Sequence, residues 1–354
     1  MSFSFGFSGD DIVVEDEEEV NHPTQRATAL ANLPKLATAR SHGVEELLAT
    51  FPSKISYSYF DIESNRGKKL RLPRRELFDI RLQIMAEDGD DATAAAGLDD
   101  SDIRTNVYEG GFKSWECSFD LAKLLLDRGP RKDLDDLCRV DHVVELGCGT
   151  AIPSLVLFHY AMTEKLALYF TLSDYNASVL RLVTLPNLIL TWASTLPAHE
   201  TPFSTSDPNP LSGPDENGDL EITPELTKAF LSTLSSQGLN LTFISGSWTP
   251  SVPFLSMIPT DPEMNILVLA SETIYSPEAL SSFAEALIGI LQRVRMGKGM
   301  IAAKKMYFGV GGSVDAFKIE CRERKAVAYE IDNHNIDLGE KSGVRRSLVE
   351  VQMY

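Results

Sequence analysis

The sequence is poor in cysteine, in positive charge and in long apolar runs, and each shortage excludes a class of protein. Its 354 residues include only four cysteines and no CxxC pair. That is too few for a disulfide framework and lacks metal-site spacing, which indicates a reducing compartment and no bound metal. The 33 basic residues are outnumbered by 51 acidic ones, for a net charge of −18. This charge argues against direct binding to nucleic-acid phosphates.

Membrane and export signals are also missing. We find no apolar run near the roughly 18 residues that a membrane-spanning helix requires, and we expect no membrane partner. Residues 1–7 have neither a basic region nor a long apolar stretch, so they do not resemble a secretory signal. An acidic run follows over residues 10–19, and we expect residues 1–70 to be a largely disordered N-terminal region.

The apolar pattern predicts strands alternating with helices. We expect residues 71–106 to form an extension, with a strand at 77–85 and a loop at 88–102. Residues 107–354 are predicted to form one α/β domain, a mainly parallel sheet covered by helices on both faces. Its predicted strands are 143–147, 168–173, 241–245, 266–270, 300–303, 326–331 and 344–353, the last two forming an antiparallel closing pair. Its helices are predicted at 115–126, after Pro153, and at 225–235, 277–293 and 313–324. Six prolines predict an insertion with little regular structure over 196–224.

The most informative stretch is 143–150, which reads as a buried strand ending in a glycine turn. Gly147 and Gly149 flank one residue, so the backbone can approach a ligand with no Cβ in the way, although sterics alone also place glycines here. The next strand ends in Asp174, which is suited to accept hydrogen bonds from ribose hydroxyls; the alternative is an exposed strand-end carboxylate. Since the third glycine of the dinucleotide fingerprint is missing, S-adenosylmethionine fits better than a pyrophosphate cofactor.

Six phrases, standing in the same order, resemble the protein-histidine methyltransferases of the seven-β-strand superfamily. They are residues 108–121, 173–176, 184–187, 246–248, 271–275 and 307–312. The phenylalanine-rich opening is similar too, whereas residues 20–100 and 196–224 match poorly. The resemblance implies a Rossmann-like, seven-stranded, mainly parallel sheet with an antiparallel closing strand, and S-adenosylmethionine as cofactor. It also implies methyl transfer to the τ nitrogen of a histidine in the third protein of the large ribosomal subunit.

The resemblance further implies which residues bind the cofactor. They are Trp115, Glu116, Cys117, Ser118, Phe119, Gly246, Ser247, Trp248 and Ser271. The first five resemble a lid over the cofactor, although Trp115 by itself would read as core. Trp248 is placed to stack on adenine. We interpret Cys117 and Cys148 as small apolar fillers and not as nucleophiles.

Two polar residues near the glycine turn each have two interpretations. Glu145 either binds the cofactor ammonium or only orders the loop. Asn176 either supports Asp174 or caps the next helix.

Residues 271–275 follow the fourth strand, at the carboxyl edge where α/β sheets place their chemistry. Methyl transfer is an in-line displacement helped mainly by alignment, and neutral histidine already carries a nucleophilic lone pair. We hypothesise that Glu272 or Tyr275 engages the other imidazole nitrogen; the alternative is that Glu272 only braces the loop. Residues 309–312 lack the Lys-Ser or Lys-Thr of a phosphate loop. We therefore predict a flexible loop that includes Gly309 and shapes the substrate pocket, with Tyr307 and Phe308 as an apolar wall.

Two other functions stay open at this point. A lysine methyltransferase of the same fold would need to remove a proton from a lysine, whose ordinary pKa is about 10.4. A catalytically silent escort of a basic ribosomal protein would suit the acidic N-terminus. We expect a monomer in cytoplasm and nucleus, whose partner is a basic large-subunit ribosomal protein or its assembly precursor.

Overall fold

The computed structural model describes residues 36–87, 111–128, 140–331 and 344–354, and those from Leu36 onward form one compact unit. Its strands are β1 (Arg40–His42), β2 (Lys54–Glu63), β3 (Lys69–Arg75), β4 (His142–Leu146), β5 (Tyr169–Asp174), β6 (Asn217–Glu221), β7 (Asn240–Ser245), β8 (Asn265–Ser271), β9 (Met296–Lys304), β10 (Ala326–Glu330) and β11 (Arg346–Met353). Its helices are α1 (Val44–Leu48), α2 (Leu77–Ala86), α3 (Glu116–Arg128), α4 (Ile152–Glu164), α5 (Ala177–Val179), α6 (Leu185–Ser194), α7 (Pro224–Gln237), α8 (Ser251–Ser256), α9 (Pro277–Leu291) and α10 (Val314–Glu323). A π-helical turn (Leu180–Thr184) joins α5 to α6, and a 3-10 turn (Pro210–Ser212) precedes β6.

The main sheet has the strand order β1-β7-β5-β4-β8-β9-β11-β10. The strands from β7 to β9 are parallel, and β11 pairs antiparallel with both β9 and β10. The predicted mainly parallel sheet with an antiparallel closing pair is therefore confirmed. Its strand number is corrected from seven to eight, because β1 pairs antiparallel with the edge strand β7.

Helices cover both faces of this sheet, as predicted. Alternate residues of a strand point to opposite faces, and in β4 Val143 belongs to one core cluster and Val144 to the other. The first cluster includes residues of α3, α4, α6 and α7, and the second includes residues of α8, α9 and α10. The strands between them are consequently buried on both sides, which explains why they are rich in apolar residues.

A second sheet, with the order β3-β2-β6, was not predicted. Strand β6 lies inside the proline-rich segment 196–224 and pairs with β2 of the N-terminal region. The buried Asn209 side chain donates hydrogen bonds to the carbonyl oxygens of Ala193 (2.8 Å) and Leu196 (2.9 Å). The prediction of little regular structure was therefore wrong for this segment, because strand pairing and these bonds connect it to the body.

Two further predictions near the N-terminus are corrected. Residues 40–70 are ordered as β1, α1, β2 and part of β3, whereas the acidic run at 10–19 and the loop at 88–102 lie outside the described residues. The predicted strand at 77–85 is the helix α2. Leu77, Ile80 and Ile84 recur at helical spacing and pack with α5 and the π-helical turn, while Leu82 is exposed.

The helical run Ala177–Ser194 is long and apolar enough to cross a membrane by length and composition, contrary to our expectation that no run would be. However, 78% of it is buried inside the fold. It packs in the core between α4 and the second sheet, as shown by the buried residues Leu188, Ile189 and Trp192. A core helix of a globular fold has the same composition.

Candidate active site

The carboxyl ends of four neighbouring parallel strands bring the predicted residues together. Strands β7, β5, β4 and β8 are parallel and adjacent, so the segments that follow them share one edge of the sheet. These segments are 246–248, 174–176, 147–149 and 271–275. This edge is where open α/β sheets bind their ligands.

Asp174 is held by backbone donors on either side of it. The N–H of Gly149 donates to Asp174 Oδ2 at 3.0 Å, and the N–H of Asn176 donates to Oδ1 at 3.0 Å. Gly149 has a φ of +50°, and a Cβ there would come within 3.2 Å of the Gly111 carbonyl oxygen. A carboxylate can accept about four hydrogen bonds. Its fixed orientation at the turn fits a pair of vicinal hydroxyls such as those of a ribose.

Asn176 takes part in this arrangement through its backbone. Its side chain makes no capping bond to α5, although the residue occupies the N-cap position. The structure thus places Asn176 beside Asp174, where its N–H helps to orient the carboxylate.

Trp248 forms a wall of the glycine turn. Its indole Nε1 donates to Ser173 Oγ at 3.2 Å, and its ring packs against Phe283 with centroids 5.8 Å apart. A Cβ on Gly147, which has a φ of +67°, would lie 3.8 Å from this ring and 2.8 Å from Thr273 Cγ2. The apolar ring is therefore fixed beside the turn, as stacking on adenine requires.

Residues 246 and 247 join this turn to the N-terminal segment. The N–H of Gly246 donates to the Asp174 carbonyl oxygen at 3.1 Å, and the N–H of Ser247 donates to that of Ala37 at 2.8 Å. Ser247 Oγ accepts from the N–H of Thr249. Both residues lie at the site, where their described contacts shape the loop that carries Trp248.

Two buried residues that support the glycine turn were missed. Thr184 Oγ1 donates to the Gly149 carbonyl oxygen at 2.7 Å, and Asn187 Nδ2 donates to that of Thr150 at 3.0 Å. Asn187 Oδ1 in turn accepts from the N–H of Arg75 at 2.8 Å. The phrase 184–187 was part of the family resemblance, but nothing in its residue types indicated that it holds the turn.

Glu145 contacts the helix that follows the turn. Its Oε2 accepts a hydrogen bond from the N–H of Ser154 in the first turn of α4, at 3.1 Å. The residue is only 1% exposed, and this desolvation raises the pKa of its carboxyl to about 8. These contacts are those of a side chain that orders the loop, the second of its two interpretations.

The five residues of the predicted lid contact different parts of the fold. Trp115 is partly exposed and Cys117 is buried beside Glu272, where desolvation and that carboxylate raise the pKa of the thiol. Ser118 Oγ donates to the Trp115 carbonyl oxygen, and Phe119 packs edge-on against Phe60 of the second sheet. The high thiol pKa agrees with Cys117 being no nucleophile.

The remaining lid residue, Glu116, points to solvent. Its side chain is 65% exposed and lies 3.7 Å from Arg346, which also pairs with the buried Asp120 at 2.5 Å. Of the predicted lid, Cys117 lies beside Glu272, and Trp115 lies next to Lys304, whose Nζ is 5.1 Å from the centre of its ring.

Glu272 is held in a strained and buried position directly after β8. It has a φ of +60°, in the left-handed region that is unfavourable for a side chain with a Cβ. Its N–H donates to the Ala302 carbonyl oxygen at 2.9 Å, and its side chain is 9% exposed. Tyr307 donates its hydroxyl to Glu272 Oε2 at 2.6 Å, and Lys304 Nζ lies 3.7 Å from Oε1.

Three consecutive residues here carry buried polar atoms without a hydrogen-bond partner among the described residues. They are Ser271 Oγ, Glu272 Oε1 and Thr273 Oγ1. Buried polar groups are nearly always hydrogen-bonded, so such a group of exceptions calls for an explanation. A polar ligand bound at this edge would explain all three.

The segment after β9 differs from its predicted role as an apolar wall. Tyr307 is buried, but its hydroxyl bonds Glu272, and burial together with that carboxylate raises the pKa of the phenol, which keeps it a donor. Phe308 is 85% exposed and Gly309 adopts a turn conformation beside it. Tyr275 packs against the second core cluster, and its carbonyl oxygen accepts from the N–H of Gly312 at 3.0 Å. Within the described ranges, no group of three or more His, Cys, Asp or Glu is arranged to hold a metal ion.

No family model matches the sequence. A putative class I S-adenosylmethionine-dependent methyltransferase from Listeria monocytogenes aligns over 78% of this chain and 68% of its own, at 12% identity and a TM-score of 0.36. That score is too low to say anything about this chain, whose fold rests on the topology above.

Curated relatives are much more similar. Histidine protein methyltransferase 1 of Saccharomyces cerevisiae is 35% identical over 99% of this chain and 98% of its own length. The protein of the same name from Schizosaccharomyces pombe is 32% identical over 89% of this chain and 83% of its own. A homologue from Bos taurus is 28% identical over 71% of this chain and 57% of its own. Identity at this level along the full chain shows that the protein belongs to the histidine protein methyltransferase family.

Proposed function

We propose that this chain methylates the τ nitrogen of a histidine in the third protein of the large ribosomal subunit. As a histidine protein methyltransferase it is an enzyme that uses S-adenosylmethionine to modify protein histidine. The ribosomal target and the choice of nitrogen are the proposal, and they come from the sequence resemblance and the site.

The residues at the sheet edge fit this cofactor. Asp174, oriented by two backbone donors, would bind the ribose hydroxyls, and the Trp248 ring beside Gly147 would face the adenine. Ser271 and Thr273 have buried hydroxyls without a hydrogen-bond partner in the described structure, so they could accept or donate to its polar groups. When bound, the cofactor supplies an electrophilic methyl group.

The observation that carries the proposal is the geometry of Glu272. One carboxylate oxygen is fixed by Tyr307 at 2.6 Å, and the other, Oε1, is buried without a hydrogen-bond partner among the described residues. A buried carboxylate oxygen suits an N–H donor, and a neutral imidazole has a single N–H. If the Nπ–H of the substrate donates to Oε1, the Nτ lone pair is left as the nucleophile.

Glu272 therefore selects the tautomer and the orientation without having to remove a proton. Histidine, with an ordinary pKa of about 6.5, is mostly neutral at about pH 7.5, so it needs no general base. As Nτ bonds the methyl carbon, the bond from that carbon to the cofactor sulfur would break, and positive charge develops on the ring, where the nearby carboxylate stabilises it. The ring then loses its Nπ proton to solvent, after the transfer and not before it. Tyr307 holds the carboxylate through this change, which is the alignment that a displacement needs.

A ribosomal target is consistent with the charge of this chain. The net charge of −18 favours a basic partner by long-range attraction. The proposal places the enzyme in cytoplasm, nucleus or both, as a monomer that acts on the free protein or its assembly precursor. Its product would then bear on ribosome assembly and translation.

The test is peptide mass spectrometry of large-subunit ribosomal proteins incubated with S-adenosylmethionine and the full chain. We expect one added methyl on a histidine of the third protein, carried by Nτ, and none with Asp174→Ala. Methylation of a different protein would contradict the proposed target, and methylation on Nπ would contradict the role given to Glu272. A chain that binds the cofactor but modifies no histidine would contradict the proposal as a whole.

A further inference from the structure

Lys304, the last residue of β9, occupies a cluster that the proposed reaction leaves unexplained. Its Nζ lies 3.7 Å from Glu272 Oε1, 5.1 Å from the centre of the Trp115 ring and 5.8 Å from the centre of the Tyr307 ring. The side chain is only 22% exposed. An ammonium group of the protein itself therefore sits between two aromatic rings and beside the carboxylate expected to meet the substrate.

Aromatic rings together with a carboxylate form the kind of cage that recognises ammonium ligands. Here Trp115, Tyr307 and Glu272 supply such a cage around Lys304 Nζ. It includes the carboxylate that the proposed function assigns to the substrate. The neighbouring cation, Arg346, forms ion pairs with Asp120 at 2.5 Å and with the exposed Glu116 at 3.7 Å. Lys304 is thus the cation within reach of Glu272 among the described residues.

We propose that Lys304 is a specificity-determining residue, which fills the cation position of this cage and so admits a neutral imidazole while rejecting a lysine side chain. The inference rests on the proposed function, since it assumes that the substrate side chain meets Glu272. Both histidine and lysine side chains can reach a carboxylate. The positive charge of Lys304 is the feature that would select histidine over lysine as the substrate.

The physical reason is repulsion between like charges in a poorly hydrated site. A lysine substrate carries its ammonium at about pH 8, because its ordinary pKa is about 10.4, whereas a histidine with an ordinary pKa of about 6.5 is neutral. A second ammonium in the cage would compete with Lys304 for Glu272 and lie close to a like charge that solvent screens weakly. Imidazole carries no net charge, so it can donate its N–H to Glu272 Oε1 without repelling Lys304, whose Nζ is 3.7 Å from that oxygen and makes no hydrogen bond to it.

The experiment compares two peptides that are identical except for histidine or lysine at one position. Their sequence is that of the segment of the third large-subunit protein in which mass spectrometry locates the added methyl, and their affinities for the full chain are measured at pH 8 by fluorescence anisotropy. We expect the wild-type chain to bind the histidine peptide at least about tenfold more tightly, which corresponds to about 1.4 kcal/mol. Lys304→Met should bind the lysine peptide at least about tenfold more tightly than wild type does, and so remove the preference.

Three further variants make the result interpretable. Lys304→Arg keeps the charge and should keep the preference for histidine, whereas Lys304→Gln, a polar neutral change, should lose it as Lys304→Met does. Lys305→Met is the matched control, because Lys305 is the adjacent lysine and pairs instead with Glu330 at 3.0 Å. Thermal unfolding of each variant shows whether it is folded before its affinity is read.

The proposal is overturned if folded Lys304→Met or Lys304→Gln still prefers histidine, or if Lys304→Arg loses the preference. Methylation of the histidine peptide by the wild-type chain, followed in the same samples by mass spectrometry, tests the proposed function separately. If the wild-type chain methylates histidine but the Lys304 variants keep the binding preference, only the proposed role of Lys304 is contradicted. A wild-type chain that leaves histidine unmodified would instead sink the proposed function.

Discussion

Replacing Tyr307 by phenylalanine removes one hydroxyl and tests whether Glu272 must be held in place. The hydroxyl donates to Glu272 Oε2 at 2.6 Å and accepts from the N–H of Lys304 at 3.2 Å, in a buried position. A hydrogen bond to a charged group contributes about 1.5–3 kcal/mol. If that energy serves to align Glu272 in the transition state, turnover should fall about 10- to 100-fold.

Two measurements separate this effect from a general loss of structure. Steady-state methylation of a histidine peptide gives kcat and KM, and isothermal titration gives the affinity for S-adenosylmethionine. We expect kcat to fall while cofactor affinity changes less than about twofold, because the described hydrogen bonds of the Tyr307 hydroxyl are to Glu272 and to the Lys304 N–H, and neither Asp174 nor Trp248 is among their partners. Glu272→Gln should likewise lower turnover more than cofactor affinity.

A double-mutant cycle shows whether the two residues act as one unit. If Tyr307 acts only through Glu272, adding Tyr307→Phe to Glu272→Gln should cause little further loss of kcat. Losses in kcat that simply add, or a Tyr307→Phe variant that loses cofactor affinity as much as turnover, would refute the reasoning.

Two further predictions concern the glycine turn. Because the carboxyl pKa of Glu145 is raised from 4.5 to about 8 in the folded chain, the unfolded chain loses this proton first, and stability should decline as pH rises from about 4.5 to 8. Glu145→Gln should remove a decline on the order of 4 kcal/mol, measured by urea unfolding at pH 5.5 and 8.5; equal slopes for both proteins would contradict the burial of this acid. Thr184→Val deletes the buried donor to the Gly149 carbonyl oxygen and should destabilise the fold by about 1–3 kcal/mol while weakening cofactor binding, whereas Thr184→Ser should retain both. Calorimetry showing Thr184→Val unchanged in both respects would exclude this support of the turn.

Most of the main sheet could be predicted because each of its strands carries a local signal. Strands β4, β5, β7 and β8 are rich in apolar residues, since helices cover both of their faces. The strands that were not predicted depend on contacts between distant parts of the chain. Strand β6 is stabilised by β2, and β1 by β7, and neither pairing leaves a pattern in the short strands themselves.

Helix α2 shows the same limit at the level of periodicity. Ile80, Leu82 and Ile84 alternate as the residues of a strand do, whereas Leu77, Ile80 and Ile84 have helical spacing. The choice is decided by Val179, Leu182 and Val183, against which the helical positions pack. Those partners lie about a hundred residues further along the chain, so the local sequence could not identify them.

Residues of the candidate site could be identified where a motif names them directly, as with Gly149 and Asp174, which the fold joins by a hydrogen bond of 3.0 Å. They could not be identified where a residue acts through another. Thr184 and Asn187 hold the turn only because the fold brings α6 and the preceding π-helical turn beneath it. We predicted Tyr307 to be part of an apolar wall, because the sequence does not indicate which group its hydroxyl will bond.

The edge after β8 is less favourable for folding than the rest of the sheet, and this asymmetry is itself an argument about function. A left-handed φ at Glu272 costs about 1–2 kcal/mol, and each buried hydroxyl without a described hydrogen-bond partner, at Ser271 and Thr273, costs about 1–3 kcal/mol. Such strain persists only where the surroundings enforce it, as the bonds from Glu272 to Ala302 and Tyr307 do here. Groups fixed in this way need not reorganise when a ligand arrives. Leaving these polar atoms without hydrogen bonds raises the free energy of the free enzyme. A polar ligand that bonds to them would lower it, and this difference would favour binding.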